Sequence, residues 1–242
     1  MTHTDRMADH WWWRPGWGPG ARFLTFHFTF RRSGRLHRLA ADYRRALADV
    51  EGLDVVPDES LHLTTQGLDF VDRVPKDDLS AILAAARQRL ASVPAFDLVV
   101  DRPEITPEAI RWEVSPSGPP AAVRSALRAA IGTSWDTVPE PADGFRPHIT
   151  IAYSNADGPA APVRAALDTV KAEPATVRVD QVELIVLHRD RKMYEWEAHT
   201  RLPLSGWQEP PVRTARRWHS ITGRERCRIA GRGARRPWRR PS

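Results

Sequence analysis

The sequence predicts an α+β fold built as two related lobes that face one another. Stretches with a two-residue apolar period alternate with stretches of helical period up to about residue 204. Two strand-like stretches, ESLHLTTQGL (59–68) and FRPHITIAYS (145–154), each carry a histidine, one apolar residue and a threonine. Each follows a helix and precedes another after a connection containing Gly, Pro or Asp, as a weak internal repeat would leave them. Two lobes related by such a repeat would bring the two strands together.

The elements follow in order. RFLTFHFTF (22–30) sets Leu24, Phe26, Phe28 and Phe30 on one face and Thr25, His27 and Thr29 on the other, the mark of a half-buried strand. GRLHRLAADYRRALADVEG (34–52) has Leu36, Leu39, Ala40, Tyr43, Ala46, Leu47 and Val50 at helical spacing and closes on Gly52. LDVV and LHLTTQGL read as strands. PKDDLSAILAAARQRLASVP (75–94) is the clearest helix, with Pro75 and acids at its start and Pro94 beyond its end. AFDLVVDRPEI and AIRWEVSP read as strands, PPAAVRSALRAAIGTSW as a helix, FRPHITIAYS as a strand and APVRAALDTVKAE as a helix. TVRVDQVELIVLH and YEWEAHTRLPL read as strands joined by the charged turn RDRK.

Composition narrows the class. A chain of 242 residues with 41% apolar and 27% charged residues can bury a core as one large domain or two small ones. No apolar run reaches the ~20 residues of a membrane span, so no membrane partner is expected. The first twenty residues lack a signal-peptide apolar region and cleavage site. The single cysteine, Cys227, excludes an intrachain disulfide and argues against a cysteine zinc site. A cytosolic monomer is the expectation. The net charge of +6 is uneven: residues 205–242 hold 11 Arg and only Glu209 and Glu225 as acids, leaving 25 basic against 28 acidic residues in 1–204. The expected folded domain, 1–204, therefore has no strong field for extended nucleic acid. Residues 205–242 have no sustained apolar period and read as a basic, disordered tail, with RNA affinity as the other possibility.

On a strand, residues i and i+2 share a face. His62 and Thr64 therefore point one way, with Gln66 below them, while Leu61 and Leu63 enter the core. His148 and Thr150 share a face, and Ile149 and Ile151 take the other. Two imidazoles beside two hydroxyls suit cleavage of a cyclic phosphodiester. One histidine takes a proton from water, the other protonates the leaving oxygen, and the hydroxyls donate to phosphate oxygens. That scheme requires no metal and no cofactor. A third match, HFT at 27–29, lacks a preceding helix, so His27 is a strand residue that could look into the cleft.

Further substrate-binding candidates are Arg146, His188, Arg191 and Tyr194, the last three clustered at the HRDRKMYEW turn. Tyr153 has the opposite parity from Thr150 and is expected in the core. WWWRPGWGPG can stack bases or pin an N-terminal arm onto the sheet, and pinning is the preferred reading. There is no G-x-x-x-x-G-K-[ST], G-x-S-x-G or H-E-x-x-H.

Two H-x-T motifs in a chain of this order resemble the 2H phosphoesterase superfamily, which contains 2′-5′ RNA ligase-like proteins and cyclic phosphodiesterases. WWWRPGW, RPHITIAYSNADGP and LHRDRKMYEW further resemble a branch of the 2′-5′ RNA ligase family, and the likeness covers roughly 11–204. The resemblance implies a bilobal, pseudo-two-fold α+β fold with antiparallel sheets lining a central cleft and helices on the outer faces. It implies catalytic roles for His62, Thr64, His148 and Thr150. The expected activity is metal-independent hydrolysis of a 2′,3′-cyclic phosphate on a nucleotide or RNA end, with 2′-5′ ligation as its reverse. The alternative is a non-catalytic module that binds an RNA end or nucleotide in the same cleft.

Overall fold

A computed structural model of the chain describes residues 4–206. A short strand, β1 (Arg6–Met7), and the tryptophan-rich arm lead into β2 (Phe23–Thr29), α1 (Gly34–Leu47), β3 (Leu53–Val55) and β4 (His62–Phe70). Next come α2 (Lys76–Leu90), β5 (Phe96–Val100), β6 (Glu104–Ile105), β7 (Ala109–Glu113), α3 (Gly118–Ile131) and β8 (His148–Ser154). The chain continues through β9 (Gly158–Pro159), α4 (Ala161–Asp168), β10 (Ala175–Val179), β11 (Gln181–His188) and β12 (Glu195–Pro203). The fold is α+β, as expected, and every strand pair is antiparallel.

Two four-stranded sheets carry the two motifs. One has the order β12-β11-β2-β4 and holds His62; the other has the order β3-β8-β7-β6 and holds His148. The sheets are not the two halves of the sequence. β3 precedes β4 but pairs with β8, and the late β11–β12 hairpin pairs with β2. The helices cross over in the same manner: α1 packs on β8 and β10, whereas α3 packs on β4 and α2 on β12.

Period and caps explain the local structure. Leu24, Phe26 and Phe28 on β2 enter the core, with Leu61 and Leu63 beside them. On α1, Leu36, Leu39, Ala40, Tyr43 and Leu47 form the buried stripe, and Tyr43 meets the fully buried Trp112 edge to face. On α2, Asp77 and Asp78 in the first turn and Arg87 and Arg89 near the last complement the helix dipole.

Two sequence expectations need correction. AFDLVVDRPEI is two strands, β5 and β6, in different sheets, and TVRVDQVELIVLH is likewise split into β10 and β11 at Asp180. The residues hold traces of both breaks, Asp101-Arg102-Pro103 in the first and a change of apolar parity between Val179 and Val182 in the second, but only the pairing β5–β10 shows that the pieces lie in different sheets. Ser205 still belongs to the body, since its N–H donates to the Val93 carbonyl (2.7 Å) and its carbonyl accepts from Ala95 (2.9 Å). The rest of the expected tail, from 207 onward, lies outside the described residues.

Candidate active site

The strand alternation that hides Leu61 and Leu63 turns His62 and Thr64 to the opposite face of β4. A bulge follows at Thr65, because Gln66 pairs with Phe26 while Thr64 pairs with His27. It reverses the parity. Gln66, expected below His62, lies fully buried on the other face, where Arg128 donates to its Oε1 (3.1 Å). Gly67 takes the vacated side, and a Cβ there would stand 2.7 Å from Glu140 Oε1.

β8 repeats the device. Ile151 is the extra residue, since Ile110 pairs with Ala152 and Arg111 with Thr150. Beyond this bulge Tyr153 faces the same way as Thr150 and His148, against the parity expected from an unbroken strand. It is buried and still borders the site. Together the two faces enclose a cavity of about 490 Å³ lined by His62, Thr64, His148 and Thr150.

The two histidines are held alike. His62 Nδ1 is 2.8 Å from the carbonyl of Ser60, and His148 Nδ1 is 2.8 Å from that of Arg146, in each case two residues earlier. A carbonyl only accepts, so both Nδ1 atoms carry hydrogen and both Nε2 atoms are left free for chemistry. Burial pushes the pKa of His62 down to about 4; its bond to Ser60 opposes the shift and His148 adds to it. Burial also lowers that of His148, with the bond to the Arg146 carbonyl raising it, Arg111 lowering it, and Glu104 and Glu113 raising it. Both rings are therefore neutral at neutral pH.

His27 enters the first motif as a third party. Its ring stacks on that of His62 at 4.6 Å and 5°, and its Nε2 lies 3.0 Å from Thr64 Oγ1. It is fully buried, and burial first and His62 second hold its pKa well below normal. Its Nδ1 has no hydrogen-bond partner among the described residues. An orphaned acceptor costs less than an orphaned N–H, so the proton belongs on Nε2, which donates to Thr64.

The other candidates divide. Tyr194 lines the cavity, with its hydroxyl 3.1 Å from His10 Nε2. Arg146, His188 and Arg191 do not line it. Arg146 precedes β8, beyond Pro147, and its guanidinium turns to Glu113 (2.8 Å). His188 has the opposite parity from Leu187, which does face the cavity, and sits near Asp190 instead. Arg191 lies exposed at the hairpin tip, forked onto Glu195.

Arg14, Glu108, Arg111, Glu140 and Arg189 line the cavity without having been singled out as site residues. Arg14 and Arg189 lay within stretches already quoted, WWWRPGW and HRDRK, but nothing local marks which arginine turns inward. The arm is pinned as preferred, with Trp11 buried and bonded through Nε1 to Asp54 (2.7 Å). It also reaches the cavity through His10, Arg14 and Trp17.

Residues 33–191 match the 2′-5′ RNA ligase superfamily. No curated protein matches the chain in sequence. Among solved structures, TT0787 of Thermus thermophilus is similar with a TM-score of 0.58 and 18% identity, over 77% of this chain and 100% of that one. Escherichia coli LigT in apo form is similar with a TM-score of 0.55 and 19% identity, over 76% of this chain and 98% of that one. LigT complexed with 3′-AMP gives 0.57 and 18%, over 76% and 98%. At these identities the likeness is one of fold.

Proposed function

The chain belongs to the 2′-5′ RNA ligase superfamily, and from that premise we propose that it is a metal-independent phosphodiesterase opening the 2′,3′-cyclic phosphate of a nucleotide or RNA end. The observation that carries this reading is the shared cavity. Two imidazoles, each tied at Nδ1 and free at Nε2, and two threonine hydroxyls line one space of about 490 Å³. That volume suits a nucleotide-sized ligand. The 3′-AMP in the E. coli LigT complex belongs to the product class such hydrolysis would yield.

In this reading His62 is the base and His148 the acid. An anionic phosphate between two neutral imidazoles favours protonating one of them. His148 is the less costly to charge, because Glu104 and Glu113 support its cation, whereas His62 stacks on a second imidazole and no carboxylate among the described residues raises its pKa. His62 Nε2 takes a proton from water as the water oxygen bonds to phosphorus. The bond from phosphorus to the ribose 2′- or 3′-oxygen breaks, and His148 delivers its proton to that oxygen. Thr64 and Thr150 donate to the non-bridging oxygens, where charge is held in the transition state. In ligation a terminal 5′-hydroxyl replaces water as the nucleophile: its oxygen bonds to phosphorus, the bond from phosphorus to the ribose 3′-oxygen breaks, and a 2′-5′ linkage and a free 3′-hydroxyl result.

The test is hydrolysis of nucleoside 2′,3′-cyclic phosphates with EDTA present. His62→Ala and His148→Ala should each lose roughly a hundredfold or more in kcat/KM. Turnover insensitive to both substitutions would overturn the reading, and tight binding without any turnover would leave a nucleotide-binding module.

A further inference from the structure

The two motifs account for only part of the cavity wall. Another part comes from the arm and the β11–β12 hairpin: His10, Arg14, Trp17, Arg189 and Tyr194. The arm lies outside the region that matches the family, which begins at residue 33. The arm's share of this wall therefore falls outside the matched region, whereas Arg189 falls within it.

Charge here does not balance. Of the cavity's arginines, Arg111 is paired with Glu104 (2.6 Å) and Arg14 with Glu108 (2.7 Å). Glu108 is further occupied by His10 Nδ1 (3.0 Å) and Trp12 Nε1 (3.2 Å). Glu140, the remaining cavity carboxylate, accepts from Gly67 N–H (3.2 Å) and lies 3.5 Å from Arg124. Arg189 is 2% exposed and has no carboxylate partner among the described residues.

Aromatic rings surround it instead. Its Cζ stands 5.4, 5.5, 5.8 and 5.9 Å from the ring centres of Trp11, Trp13, Trp17 and Tyr194. Its Nη2 donates to the Trp12 carbonyl (2.8 Å), while Nε is buried without a partner. Ring faces offset part of the cost of burying a cation but add no counter-charge. The uncancelled field falls on the cavity. His10 registers it: burial is the main cause of its lowered pKa, about 4, and Arg14 and Arg189 both add to the fall against the pull of Glu108.

Position completes the case. The Tyr194 ring stands 6.0 Å from that of His62 and 5.9 Å from Arg189 Cζ, so it separates the motif histidine from the unbalanced guanidinium. Arg14 is partly exposed and lines the same space. We propose that Arg14 and Arg189 form an anion subsite beside the H-x-T pair that takes a second phosphate of the substrate. The preferred substrate is then a cyclic phosphate bearing a further phosphate. That group is either a 5′-phosphate or the internucleotide phosphodiester preceding the cyclic end. This rests on the reading that the two motifs hold the cyclic phosphate.

Binding by calorimetry separates the two claims. Three ligands are compared on the His62→Ala protein: adenosine 2′,3′-cyclic phosphate, its 5′-phosphorylated form, and the dinucleotide ApA ending in a 2′,3′-cyclic phosphate. At least one phosphate-bearing ligand should bind about tenfold more tightly than the plain one, roughly 1.4 kcal/mol. Which of the two gains identifies the source of the phosphate. Adding Arg14→Gln should erase the difference between ligands, and added salt should shrink it. Equal dissociation constants for all three, or an Arg14→Gln loss shared equally by all three, would overturn the subsite. Wild-type turnover of the plain ligand in EDTA tests the underlying reading separately. Turnover with equal affinities refutes the subsite alone, and a tenfold preference without turnover refutes the phosphodiesterase alone.

Discussion

His27 touches both members of the first motif, by its ring face and by Nε2. Alternation along RFLTFHFTF already turned its side chain away from the core phenylalanines. Its complete burial was not legible there, because the His62 ring that covers it arrives from another strand. Being neutral and enclosed, it can only orient Thr64 and pack His62. His27→Phe keeps the stacked volume and removes the donor. The expected result is a kcat lowered about tenfold with little change in KM. The melting temperature should hold or rise, since the unpartnered Nδ1 disappears. An unchanged kcat would reduce His27 to a filler of space.

At the scale of elements, two bulges decide which residues meet. Period-two reading paired His62 with Thr64 and His148 with Thr150 and held for those residues. It failed one step further on each strand, at Gln66 and Tyr153, because one extra residue reverses every later side chain. The hairpin turn shows the complementary limit. Four charged residues in RDRK look equivalent, yet Arg189 is buried under the arm and Arg191 stays exposed. The arm itself depends on Gly16, whose φ of +82° favours glycine and whose Cβ would stand 2.6 Å from Phe70 Cε2. Gly16→Ala should cost about 1–3 kcal/mol. It should also expose arm tryptophans to fluorescence quenchers. An unchanged melting temperature and quenching would show that the arm does not hold this turn.

For the whole molecule, buried neutral histidines tie stability to pH. His10 and His62 have folded pKa values of about 4 against 6.5 when unfolded, and burial lowers those of His27 and His148 as well. Between these limits the unfolded chain binds protons that the native protein refuses, so stability falls as the pH falls from 6.5 to about 4. Below that, Glu108, whose carboxyl is held low by Trp12, His10 and Arg14 in spite of its own burial, continues the decline. Denaturation midpoints measured across this range should drop steadily, and His62→Gln should flatten the slope. Constant stability from pH 6.5 to 4.5 would contradict the burial of these rings in neutral form.

Strand and helix periods are short-range properties, so the α+β class, the helices and the shared face of each H-x-T pair are written in neighbouring residues. Strand partners are not, because ladder hydrogen bonds join backbones without regard to side chain. Only packing sends β3 to the His148 sheet and returns β11 and β12 to the His62 sheet. The same long-range closure lays a tryptophan arm over Arg189, leaving a buried guanidinium whose charge no carboxylate among the described residues cancels.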